Sequence, residues 1–188
     1  MIEGAFFRAI WKNGGIKYQC SHNMFLAQAK AMNSCHELLK DGKIGPALNI
    51  CCVYPASSSP EDYLAAMDYD QLRNRFYLDM AVFGRYPEAI YEYLDQRGYA
   101  PVFEEGDREL LESGHPDLIA INYYGGTTVK YISEEENRYK TKDITNVEFM
   151  TGCVTEPGIA QVVDNPLQNF NKTYNRAVDG TGLRATLR

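Results

Sequence analysis

The chain has 188 residues, 45% hydrophobic and 23% charged, a composition suited to one globular domain with a core of its own. Its formal net charge of −6 excludes a sequence-independent grip on nucleic acid, which depends on Lys and Arg meeting phosphates. No apolar run nears the ~20 residues of a membrane span. The start, MIEGAFFRAIWKNGG, lacks the ordered basic, apolar and small-residue regions of a signal peptide, so a cytoplasmic protein is expected.

Five cysteines (Cys20, Cys35, Cys51, Cys52, Cys153) are odd in number and irregular in spacing, as reduced thiols would be. No C-x-x-C or Cys/His spacing points to zinc. Asn171-Lys172-Thr173 fits a glycosylation sequon, but without a secretory signal it is read as chance.

In chain order, HNMFLAQAKAMNSCHELLK predicts a helix over residues 22–40, with Phe25, Ala29, Met32, His36 and Leu39 on one stripe and Asp41-Gly42 as the stop. KIGPALNICCVYP, residues 43–55, is a short apolar run expected of a strand covered on both faces, pairing after Pro46. Ser59 then caps a helix, with Pro60 at its first position and Glu61-Asp62 complementing the dipole.

Residues 68–83 carry Leu72, Phe76, Met80 and Phe83 on a second stripe, and residues 87–97 carry Ala89, Tyr91, Tyr93 and Leu94. A small helix is expected over 106–114, and HPDLIAINYY forms a second buried strand. Helix, strand, helices, strand is a βα alternation, so the chain reads as α/β with parallel strands and a right-handed crossover. After residue 125 the pattern dissolves until DGTGLRATLR opens a further helix. Two interior strands do not make a sheet that helices cover on both faces. Either the ends supply more strands or the chain is part of a larger domain.

Of the usual chemistry there is little trace. No G-x-G-x-x-G, P-loop or G-x-S-x-G occurs. His22, His36 and His115 stand far apart and read as core or surface residues. Cys51 and Cys52 lie in an apolar run, where burial favours inert thiols. Glu61-Asp62, Glu104-Glu105 and Glu134-Glu135-Glu136 sit where capping or solvation explains them. The stretch Asn122-Tyr123-Tyr124 before Gly125-Gly126 fits either a strand running into solvent or the rim of an active site.

Six phrases change the reading: HNMFLAQAKAM (22–32), KIGPALN (43–49), VYPASSSPEDYLAA (53–66), NRFYLDMAVFGRYP (74–87), EEGDRELLESGHPDLIAINYY (104–124) and DGTGLR (179–184). In this order they resemble the middle of a glycoside hydrolase family 1 enzyme, on the 6-phospho-β-glucosidase branch. The resemblance is strongest over 22–131, with 1–21 an unmatched lead-in and 132–188 a long irregular segment ending in a helix start. His22-Asn23 departs from the two histidines the family often writes there, and NRAVDGTG shortens the family's acidic aromatic phrase.

The resemblance implies a partial (β/α)₈ TIM barrel, one incomplete domain, with residues 22–40 the helix after strand four, 44–53 strand five and 118–124 strand six. It implies that Tyr124 orients the nucleophilic carboxylate and that Asn122, facing the same way, lies at the sugar, while Tyr123 packs. It implies a retaining mechanism with no metal or cofactor. The family's Asn-Glu (acid/base) and Glu-Asn-Gly (nucleophile) do not occur in the chain, nor does its phosphate-gripping loop, so the chain alone is expected to be inactive. The intact enzyme would take a phosphorylated β-glucoside. The other reading is a non-catalytic sugar-binding or barrel-completing module, prone to self-association through unpaired strand edges.

Overall fold

The computed structural model describes residues 14–133, 135, 156, 158–165, 169–171 and 176–187. Residues 1–13, Glu134, Glu136, Cys153 and Lys172-Thr173 of the sequon lie outside them. Two compact units are present: residues 1–48 with 75–120, and residues 49–74 with 121–188.

The first unit is helical. Helix α1, Gly14–Leu38, starts before the expected residue 22, because the apolar period continues back through Tyr18 and His22. Tyr18, His22, Phe25, Ala29 and Met32 are all buried, and their alternating spacing of four and three puts them on one face. The stripe ends there. Leu39 is exposed and lies past the helix, and His36 turns instead to Asp117, with Nε2 2.8 Å from its Oδ2.

Helices α3 (Phe76–Phe83), α4 (Glu88–Gln96) and α5 (Asp107–Ser113) are its other helices among the described residues. Phe76 is wholly buried, edge-on to Tyr18 at 5.4 Å between ring centroids and stacked on Tyr86 at 5.0 Å. In α4 the buried pair is Ile90 and Leu94, four apart, and not the expected Ala89 and Tyr91. Phe83, expected on the core stripe, is exposed.

His22 is fully buried, with Nδ1 2.9 Å from the Tyr86 hydroxyl and Nε2 3.2 Å from Asp107 Oδ2. A neutral ring protonated on Nε2 satisfies both partners: it donates to the carboxylate and accepts from the phenol. The Glu104 N–H, and after it the His22 ring, hold the Asp107 carboxyl below the usual carboxylate range.

Among its described residues, the second unit is built around a mixed three-stranded sheet. Strand β2, Val53–Pro55, runs parallel to β4, Thr127–Tyr131, with Val53 opposite Thr127. Strand β5, Ala160–Val163, pairs antiparallel on the other side of β4. Helix α2, Pro60–Asp70, packs Asp62, Ala65, Ala66 and Tyr69 toward β2 and β4. Its start is as expected: Ser59 Oγ accepts the Asp62 N–H at 3.2 Å and Pro60 opens the helix.

Asp62 does more than complement the dipole. Its carboxylate accepts the Ser57 hydroxyl at 2.6 Å and the Tyr131 N–H at 2.9 Å, tying the end of β4 to the helix start.

The expectation that pattern dissolves after residue 125 is corrected by β4. Thr127-Thr128-Val129 are all buried, and the run TTVKY has the β-branched character of a strand. The short pair β6 (Asn169–Asn171) and β7 (Arg176–Val178) is antiparallel, and helix α6, Gly180–Thr186, follows with Asp179 as its cap.

Strands are present in the two expected runs, but they are shorter and the expected burial is corrected: residues 47–49 are exposed or half-buried, Val53–Pro55 are half-buried, and residues 120–122 are all exposed. The run 43–55 holds β1, Ala47–Asn49, and β2, and the run 115–124 holds β3, Ala120–Asn122. β1 pairs with β3. The Ala120 N–H donates to Pro46 O at 2.9 Å in the first unit, and the Ile50 N–H donates to Asn122 O at 3.1 Å in the second. Between α2 and α3 the chain passes through a π-helical turn, Gln71–Arg75.

Candidate functional site

The candidate site is the segment Asn122–Thr127 of the second unit. The Ile50 N–H bond to Asn122 O sets Ile50 opposite Tyr123 in a parallel ladder, whereas Val53 stands opposite Thr127. Three steps along one strand therefore meet four along the other, leaving one extra residue between Tyr123 and Thr127. This one-residue register shift between two separate ladders acts as a bulge does, a device that re-aims a side chain and is common beside active sites. Gly125 supplies the backbone freedom for it, with φ at 141°. The ladder resumes where the Thr127 N–H donates to Cys52 O at 2.8 Å.

Behind the bulge lies a polar knot. Asp179 Oδ2 accepts the Tyr54 hydroxyl at 2.8 Å and the Tyr123 hydroxyl at 3.1 Å, and Oδ1 accepts the Gly182 N–H at 2.7 Å. A β-carbon on Gly182 would collide with the Asp179 carboxylate and the Tyr123 phenol, so glycine permits the close approach. Burial, then the bond to Asp179, drives the Tyr54 phenol well above its ordinary value. Burial and the Asp179 charge do the same to Tyr123. Both phenols are neutral donors at physiological pH. The Cys52 thiol is raised too, chiefly by burial, which suits an inert thiol.

Asn122 ends β3 with its side chain exposed, and Tyr124, 55% exposed, sits at the bulge. Tyr123 is half-buried and turned to Asp179. Sequence reasoning does not single out Tyr54 and Asp179. The signals that could find them are an Asp before Gly-Thr-Gly, a capping pattern, and a tyrosine two residues from Cys52 on one strand face. Chemically the segment offers an exposed phenol and an exposed amide on a braced turn, able to donate to an anion or to hydroxyls. Among the described residues no group of three or more His, Cys, Asp or Glu could hold a metal, and no helix is long and apolar enough to cross a membrane.

The chain matches the model of glycosyl hydrolase family 1 over residues 2–188, taking in most of the lead-in that the sequence phrases leave out. It is 36% identical over 176 residues to aryl-phospho-β-D-glucosidase BglC of Bacillus subtilis, covering 91% of this chain and 36% of the relative. It is 34% identical over 112 residues to 6-phospho-β-glucosidase GmuD of the same organism, covering 60% of this chain and 24% of the relative.

The fold is similar to that of the psychrophilic β-glucosidase BglU of Micrococcus antarcticus, with a TM-score of 0.72 at 26% identity over 93% of this chain and 36% of that one. An α/β fold forming part of a barrel fits that likeness. The chain spans about a third of the length of the relatives it matches. With a family match running from residue 2 to residue 188, the chain belongs to glycosyl hydrolase family 1.

Proposed function

We propose that the chain is the segment of a retaining 6-phospho-β-glucosidase that carries strands five and six, residues 44–53 and 118–124, of one incomplete barrel domain. The intact enzyme hydrolyses the O-glycosidic bond of phosphorylated β-glucosides in the cytoplasm by double displacement. The observation that carries this reading is the 36% identity to an aryl-phospho-β-D-glucosidase over 91% of the chain. Both catalytic carboxylates belong to sequence outside these residues, since neither Asn-Glu nor Glu-Asn-Gly occurs in the 188. Tyr124 orients the nucleophile by a charge-assisted hydrogen bond, and Asn122 contacts the sugar. Their exposure supports those roles.

The test has two arms. DNA on either side of the reading frame should encode an Asn-Glu phrase upstream and Glu-Asn-Gly with a phosphate-gripping loop downstream; unrelated flanks would overturn the reading. Residues 2–188 grafted in place of the matching segment of BglC should restore hydrolysis of an aryl 6-phospho-β-glucoside. In that graft Tyr124→Phe should lower kcat about 10–100-fold, the worth of one hydrogen bond to a charged group. The 188-residue chain by itself should give no turnover. An unchanged kcat would remove Tyr124 from the mechanism.

A further inference from the structure

We propose that Asp179 is a positioning residue for Tyr124: holding the Tyr123 and Tyr54 phenols on one carboxylate oxygen, it fixes the bulge from which the Tyr124 side chain projects. This rests on the reading of Tyr124 as a site residue, and adds a control on that residue from the far side of the strand.

An extra residue between Tyr123 and Thr127 breaks the regular register, so ladder bonds alone do not dictate which way the segment's side chains point. Tyr123 turns to Asp179 while its neighbour Tyr124 is exposed, so holding the Tyr123 phenol holds the backbone from which Tyr124 projects. The anchor is itself held on both oxygens: Oδ1 of Asp179 caps α6 through the Gly182 N–H, and Tyr54 of neighbouring β2 donates to Oδ2, the oxygen that Tyr123 shares. Three stretches of chain distant in sequence meet at one carboxylate, and the missing β-carbon of Gly182 permits that close approach. The raised phenols of Tyr54 and Tyr123 agree with donors held against an anion.

Fluorine NMR of the full chain with fluorotyrosine placed at position 124 tests this without sugar or turnover. The parent should give one narrow resonance. Asp179→Ala and Tyr123→Phe should broaden it several-fold or split it. Asp179→Asn, whose amide oxygen still accepts, should keep it single. Ser57→Ala, which loosens a different part of the same unit, should leave it alone.

A resonance unmoved by both Asp179→Ala and Tyr123→Phe overturns the proposal. So does a response to Ser57→Ala as large as that to Tyr123→Phe, which would mark general loosening. Should Asp179→Ala fail to fold, Tyr123→Phe, which removes one hydroxyl, decides alone. A BglC graft indifferent to Tyr124→Phe would sink the enzymatic role of Tyr124 while leaving this result standing, so the two failures are distinguishable.

Discussion

The side-chain amide of Asn74 pairs with the backbone of Cys51 in both directions, donating to its carbonyl at 2.7 Å and accepting from its N–H at 3.2 Å. Asn74 thus stands where a neighbouring strand would otherwise bond, in the gap between β1 and β2. It can do so because it lies in the π-helical turn, where the extra residue per turn rotates it inward beside buried Leu72. Asn74→Ala leaves a buried donor and a buried acceptor without that partner. The expected loss is about 2–6 kcal/mol, taking ~1–3 for each orphaned group. Urea unfolding would measure it, and a loss below ~1 kcal/mol would mean that other groups or water replace the amide.

Local signals in the sequence carry over directly into the fold. The stripe through Phe25, Ala29 and Met32, the Ser59-Pro60 helix start and the helix opened at DGTGLR each appear as expected. What escapes a reading of the sequence is non-local. The Asn74 hook depends on the backbone of Cys51, 23 residues away, and the Tyr123–Asp179 bond joins residues 56 apart. Strand β4 is hidden by the Gly-Gly ahead of it, which reads as the end of structure but is the bulge that lets the ladder resume. Burial does not alternate along this stretch: residues 120–122 and Tyr124 are all exposed, and Tyr123 alone among 120–124 is half-buried, turned to Asp179.

Asp62 makes the second unit sensitive to acid. The Ser57 hydroxyl, then the Tyr131 N–H, hold its carboxyl below the ordinary 3.8. In the unfolded chain the group takes up its proton near that ordinary value, and in the folded chain only at lower pH. The unfolded state therefore binds more protons in the interval, and stability falls as pH drops below about 4. Ser57→Ala should remove about 1–2 kcal/mol near neutrality and narrow this acid-sensitive interval, because the folded carboxyl then titrates closer to its free value. Circular dichroism followed against pH for both proteins checks it; superimposable acid transitions would contradict the assignment.

At the alkaline end the sign reverses through Tyr54 and Tyr123. Their phenols ionise near 10 when unfolded but at higher pH in the folded chain, held by burial and by Asp179. Above about pH 10 the unfolded state binds fewer protons, so stability present below that pH is lost as pH rises. Phenolate absorbance should show Tyr54 and Tyr123 titrating late together with buried Tyr86, and in Asp179→Asn the first two should move earlier. Titration of both with the exposed tyrosines in the parent chain would contradict the knot.

The buried His22–Tyr86 pair gives a prediction in the other unit. Tyr86 is raised above its ordinary phenol value by burial first, and its hydroxyl meets His22 Nδ1 at 2.9 Å among aromatic rings. Tyr86→Phe leaves the ring packing in place but strands the nitrogen, at a loss of about 1–3 kcal/mol. His22→Leu strands both the phenol and one contact of Asp107 and opens the face of α1 between Tyr18 and Phe25, so about 3–5 kcal/mol is expected. Because both variants remove the same bond, the double variant should lose less than the sum, by about 1 kcal/mol. Denaturant unfolding of the four proteins in one cycle measures that coupling. Strict additivity would mean that the hydroxyl and the imidazole do not bond, and that His22 is held by Asp107 and Phe103 instead.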